Sequence, residues 1–294
     1  MLEVLGSRGV DGTGVAVYGV PRDTFIFTLR LAQEHPDPAR LGRIIADLSG
    51  ALPVRATELR GDYARLVLDP TEAIDILAAR IDSLAPGVQV VSAGRSLEIL
   101  KRVGAARALR DPWLERFTGS HGIGHTRLAT ESKVDVAHCH PFWARPYGDI
   151  AVVHNGQITN YHKLRRHMEM RGIRFETEND SEIIGLYVAD LLAQGLSLEA
   201  ALRQSIDDLD GTFTYLISTA DALGLAKDPF ATKPMIIAET TEWVALASEE
   251  IALSQALGPA LRTYQPGAQT VHVWQRREAT ALRAREPLTA GAAR

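Results

Sequence analysis

Cysteine is nearly absent from this sequence: its 294 residues contain one, Cys139. A single thiol cannot close an intramolecular disulfide or build a multi-cysteine zinc site, which excludes a redox framework and agrees with a reducing compartment. Positive charge is not in excess either. The 32 Lys and Arg against 36 Asp and Glu give a net charge of −4, too little to neutralise a row of phosphates, so nucleic acid is not an expected partner. No stretch approaches about 18 consecutive apolar residues. Arg8, Asp11, Arg22 and Asp23 fall where a signal peptide needs an uninterrupted apolar core. The expectation is a cytoplasmic protein with no membrane partner. There is no internal repeat and no long linker; the Ala/Arg-rich stretch from Arg276 to Arg294 lacks an apolar stripe and is expected to be a loose tail.

What remains is ordinary globular composition, 46% apolar and 23% charged, at a length that suits one large domain or two of common size. Arg8 to Gly14 reads as a turn-rich loop leading into a strand at Val15–Gly19. Next comes a block reading strand (Phe25–Leu31), helix (Pro38–Leu48), strand (Tyr63–Leu68), helix (Pro70–Ile81) and strand (Val88–Val91), a candidate inserted α+β module. Strands are expected at Gly122–Leu128 and Ile150–His154, each ending in a polar, glycine-flanked loop. Helices follow at Asn160–Met170, Ser181–Gln194 and Leu198–Ile206, the second capped by Asn179-Asp180-Ser181 and carrying Ile184, Tyr187, Val188 and Leu191 on one face. Short strands then run at Thr212–Ser218, Leu223–Ala226, Met235–Ala238, Val244–Ala247 and Thr270–Trp274. This order predicts an α+β fold.

Four segments combine polar groups with element ends: Gly124–Thr130, Ala137–Phe142, His154-Asn155-Gly156 and Thr177–Glu182. Arg127 offers a planar fork for a carboxylate, or a structural ion pair. Asn155-Gly156 reads as a tight turn, or as a side-chain amide beside a permissive backbone N–H, the equipment of an oxyanion hole. Asp180 caps a helix, or balances a ligand ammonium. Taken together, a carboxylate clamp, oxyanion donors and an ammonium clamp describe a site for an α-amino acid with a reactive side-chain carbonyl, and glutamine fits.

Five motifs in order, Gly-Val-Asp-Gly-Thr-Gly-Val-Ala-Val-Tyr-Gly, Gly-His-Thr-Arg-Leu-Ala-Thr, His-Asn-Gly-Gln-Ile-Thr-Asn-Tyr, Glu-Asn-Asp-Ser-Glu and the pair Asp-Leu-Asp-Gly-Thr-Phe with Ala-Lys-Asp-Pro-Phe-Ala-Thr-Lys-Pro, resemble the class II glutamine amidotransferases. Within that family the chain looks most like the stand-alone glutaminase subunits of glutamate synthase-type and N-methylglutamate synthase-type complexes. The resemblance implies the αββα four-layer sandwich of N-terminal nucleophile hydrolases, over residues 1–275 with an insert at about 20–120. It implies that Arg127, with Thr130, binds the glutamine α-carboxylate, that Asp180 binds the ammonium, and that Asn155 and the Gly156 N–H form the oxyanion hole. His125 and His154 would support the pocket wall. Ammonia would pass to a separate synthase subunit in a hetero-oligomer, without a cofactor.

The family's nucleophile is an N-terminal cysteine, whereas residue 1 here is Met and residue 2 is Leu. The family places that cysteine at the head of a strand some twenty-odd residues before the Arg-Gly loop, so one core strand is expected to be missing. Either the natural start lies upstream, with Met1 inside a helix entering that loop, or the chain binds glutamine or serves structurally without cleaving it. Cys139, between His138 and His140 on an extended segment, is expected to be an inert buried thiol. Seven of the nine histidines (121, 125, 138, 140, 154, 162 and 167) cluster in sequence, yet no set has metal-motif spacing, and no metal is expected. Phe142-Trp143 is expected in the core or a subunit interface, and Arg8 as support for the site or as a solvated turn residue.

Overall fold

The computed structural model describes residues 1–32, 37–129 and 133–277. The stretch expected to be a loose tail lies outside these from residue 278 onward. Helix α1 (Leu2–Leu5) and one 3-10 turn (Gly6–Arg8) lead into β1 (Gly12–Tyr18), which begins three residues before the expected Val15. Strand β2 (Phe25–Leu31), helix α2 (Pro38–Ala51), strands β3 (Val54–Arg60) and β4 (Tyr63–Leu68), helix α3 (Ile74–Leu84) and β5 (Val88–Gly94) follow. Their sheet order, β3-β4-β2-β5, is all antiparallel, the split βαβ arrangement of a ferredoxin-like module. Strand β3 was not anticipated. Its side chains are mostly exposed, so it lacks the apolar alternation by which a half-buried strand is recognised.

Strand β6 (Leu97–Val103) leaves the module and pairs with β1, which pairs on its other edge with β7 (His121–Arg127), reached through α4 (Pro112–Arg116). The module's own sheet spans residues 25–94, within the expected insert at about 20–120, and β6 pairs in the main body. Asp149 fastens the junction. Its carboxylate accepts from the backbone N–H groups of Arg95 (2.7 Å), Ser96 (2.8 Å) and Leu97 (2.8 Å) and from the Ser96 hydroxyl (2.9 Å).

The second half supplies β8 (Phe142–Trp143), β9 (Ala151–Ile158), α5 (Tyr161–Met170), α6 (Asp180–Ala193), α7 (Leu198–Asp208), β10 (Gly211–Ser218), β11 (Ala222–Lys227), β12 (Ile236–Glu239), β13 (Val244–Ala247), α8 (Glu250–Leu257), β14 (Thr263–Tyr264) and β15 (Val271–Gln275). One five-stranded sheet runs β15-β11-β10-β9-β8, and a small third sheet runs β13-β12-β14. Helices α6 and α7 cover the five-stranded sheet, burying Val152, Phe213, Tyr215 and Ile217 against Ile183, Ile184, Leu186 and Leu202. Its other face meets β1, with Ala16 and Tyr18 in one cluster with Ala151 and Val153. Val4 and Leu5 of α1 pack with Ala252 and Leu253 of α8 over the third sheet. Helix, sheet, sheet, helix is the αββα sandwich expected from the sequence. Phe142 and Trp143 are buried in its core.

Alternation along the strands decides what faces the space between the sheets. On β1 and β7 the inward row carries Gly12 and Gly14 opposite Arg127 and His125. The segment before β8 lies across that row: a Cβ on Gly14 would stand 2.2 Å from the His140 carbonyl oxygen. Only a residue without a side chain admits this approach.

Replacing Asp149 with Ala strands three backbone donors at the module junction and is expected to lower unfolding free energy by about 2–4 kcal/mol. Urea denaturation measures it; an unchanged midpoint contradicts the assigned role.

Candidate active site

Strand β9 runs on through Asn155 and Gly156 to Ile158, although it was expected to stop at His154 and the Asn-Gly pair was also readable as a turn. Gly156 makes the continuation possible. It holds φ +138°, and a Cβ there would lie 1.9 Å from the Thr212 carbonyl oxygen of the neighbouring strand. The strand pleat sends Val152 and His154 toward α6 and Val153 and Asn155 toward β7.

Helix α6 begins where β9 passes it. Asn179 is its N-cap, its side chain accepting from the Ser181 N–H at 2.9 Å, so Asp180 is the first helical residue. The Asp180 carboxylate accepts from the Ile158 N–H at 2.9 Å, which ties helix to strand. Two residues further into the helix, Glu182 accepts from the N–H groups of Glu176 (2.7 Å) and Thr177 (2.8 Å) and the Thr177 hydroxyl (2.6 Å). These bonds hold the loop that presents Asp180.

Arg127, Asn155, Gly156 and Asp180 all line one cavity of about 1990 Å³, with His125, His154, Ser181 and Lys233 in its walls. Arg127 is buried, and one of its guanidinium nitrogens donates to the Lys133 carbonyl at 2.9 Å. Thr130, expected beside it, lies outside the described residues. Arg8 also lines the cavity and pairs with Glu249 at 3.2 Å.

Three imidazoles form the floor. His125 stacks on His140 with ring centroids 4.2 Å apart, and its Nε2 lies 3.0 Å from Asn155 Oδ1. His140 Nδ1 accepts from the His154 N–H at 3.3 Å, and Ser181 Oγ lies 3.3 Å from His140 Nε2 and 3.0 Å from His154 Nδ1. Residues 138–140 do not form the extended segment expected of them. His138 turns back onto Asp135 at 2.7 Å, and Cys139 is fully buried with Sγ 3.2 Å from the Asp135 carbonyl. Burial pushes the Cys139 thiol above its ordinary value. No group of three or more metal-ligating side chains converges among the described residues. His140 and Ser181 were not singled out from the sequence as site residues. They are far apart in the chain: each lies in a segment marked from the sequence, Ala137–Phe142 and Thr177–Glu182, but nothing local links the two.

Buried Lys101 of β6 flanks the same floor, its ammonium 4.8 Å from the Phe142 ring and its acidity shifted by burial to about 8.

Residues 125–255 match the glutamine amidotransferase domain family. The chain is 37% identical over 286 residues to a Methanothermobacter thermautotrophicus protein that carries a glutamine amidotransferase name, covering 92% of each. It is 36% identical over 282 residues to the glutamine amidotransferase-like protein GlxB of Rhizobium meliloti, covering 95% of this chain and 92% of that one. The chain belongs to the glutamine amidotransferase family. The fold is shared with the allosteric regulatory enzyme of purine biosynthesis, at TM-score 0.59 and 17% identity over 92% of this chain and 42% of that one. The αββα body described above is thus shared with that enzyme. No helix of this family member, among the described residues, is long and apolar enough to cross a membrane.

Burial holds His154 down to about 4 and lowers His125 and, further, His140, so all three are neutral at pH 7. Between pH 6.5 and 4 the unfolded chain binds protons that the folded one refuses. The stability these groups contribute is therefore complete above about pH 6.5 and lost as pH falls, up to about 3 kcal/mol for His154. Proton NMR titration of the imidazole C2–H signals should show all three inflecting below the ordinary histidine value, His154 near 4; three unshifted inflections would contradict the packing described.

Proposed function

We propose that this chain is the glutaminase subunit of a cytoplasmic hetero-oligomer, hydrolysing glutamine to glutamate and passing ammonia to a separate synthase subunit of glutamate synthase or N-methylglutamate synthase type. Residues 1–275 act as one amidotransferase domain. The observation that supports this reading is that a guanidinium, a carboxylate and an amide-glycine pair line one cavity. In the proposed complex Arg127, with Thr130, holds the α-carboxylate and Asp180 the ammonium. The Asn155 amide and Gly156 N–H face the side-chain carbonyl oxygen, where charge develops when the amide carbon is attacked.

The attacking thiol is not Cys139, which is packed against Gly12 away from solvent. Space for another exists. A cavity of about 1990 Å³ exceeds the roughly 300–1,000 Å³ usual for a small-molecule site. It is bordered by β7 and β13, each at the edge of its three-stranded sheet. Open edges readily accept a further strand. We assign this space to an extended segment that pairs there and carries the nucleophilic cysteine. Its thiolate would form a glutamyl thioester with release of ammonia, and water would then cleave the thioester.

The burial of Cys139 also favours a second reading, in which the chain binds glutamine without chemistry. Both readings expect calorimetry to show glutamine binding to the 294-residue chain, with Arg127→Ala and Asp180→Ala each weakening it at least about tenfold. No binding by the unaltered chain contradicts both. An in-frame Met-Cys-Gly upstream of the Met1 codon, with ammonia release restored by including it, selects the glutaminase. A stop codon before any such start selects the binding subunit.

A further inference from the structure

The cavity wall behind Asn155 holds more hydrogen-bonding chemistry than clamping an amino acid requires. Backbone constraints fix the direction of these bonds. The His154 backbone N–H can only donate, so His140 Nδ1 accepts it, and a neutral His140 carries its proton on Nε2, toward Ser181 Oγ. The ring stacked on it, His125, has a buried Nδ1 with no partner among the described residues. A proton on that nitrogen would leave a buried donor unpaired and set a bare Nε2 lone pair against Asn155 Oδ1, 3.0 Å away. The proton therefore sits on Nε2 and is donated to Oδ1.

This bond decides which end of the Asn155 amide is free. An amide has two donors at one end and an acceptor at the other, and the assignment of the two follows the network around it. With Oδ1 held by the imidazole, the NH2 group is the end left for the cavity. In the opposite orientation Nδ2 would meet the His125 N–H, and the oxygen would repel a developing oxyanion.

We propose that His125 is a positioning residue that locks the Asn155 amide with its NH2 group available to the cavity, with His140 as the stacked platform that fixes the imidazole plane. This rests on the glutamine reading of the site for its purpose, but not for its geometry. A chain labelled with 15N in His and Asn tests it through long-range proton–nitrogen correlation spectra at pH 7. A neutral His125 protonated on Nε2 is expected, and a proton on Nδ1 would overturn the proposal whether or not glutamine binds. Glutamine titration supplies the second readout. His125→Leu should weaken binding about tenfold, and His125→Gln, whose side-chain N–H can also reach Oδ1, should recover most of the loss. Equal affinity in His125→Leu and the unaltered chain, or no recovery in a folded His125→Gln, would count against it. Should the unaltered chain not bind glutamine, the proposed glutamine site falls, while the tautomer spectrum still decides the position of the proton.

Discussion

Everything at the site depends on how closely one loop can approach one strand. The His140 carbonyl rests on β1 at Gly14, in the row that carries Lys101 on one side and His125 on the other. That contact puts the His140 ring against His125, and its two nitrogens against the backbone of β9 and the start of α6. Two sheets and a helix are thereby keyed together at one point. A methyl group at position 14 would separate them, because it would meet backbone rather than a movable side chain.

The electrostatics follow from the same packing. Desolvation keeps the three stacked or linked imidazoles neutral, so the floor of the cavity contributes oriented dipoles instead of charge. The formal charges that remain at the cavity come from groups such as Arg127, Asp180 and Lys233. An amino acid carries one charge of each sign and an uncharged reacting amide. A site with charges for the first two and neutral donors for the third matches that distribution.

Much of this was legible in the chain itself. The strand at Val244–Ala247 and the capped helix at Asp180 lie where apolar periodicity and the Asn179 cap place them. The motifs named the family, and four of the five residues expected to grip glutamine line one cavity, Thr130 lying outside the described residues. What the sequence hid has physical causes. Strand β3 offers no buried face to betray it. The end of β9 was misplaced because Asn-Gly is a strong turn signal, overridden here by pairing with β10. The imidazole network adds His140 and Ser181 to the expected His125 and His154, and no local period links the four.

The most direct test is a crystal structure of this chain with bound glutamate. The α-carboxylate is expected on Arg127, the ammonium on Asp180, and the side-chain carboxylate within hydrogen-bond reach of Asn155 Nδ2 and the Gly156 N–H. Glutamate bound in the reverse orientation, or at a site that does not include these residues, would contradict the proposed site.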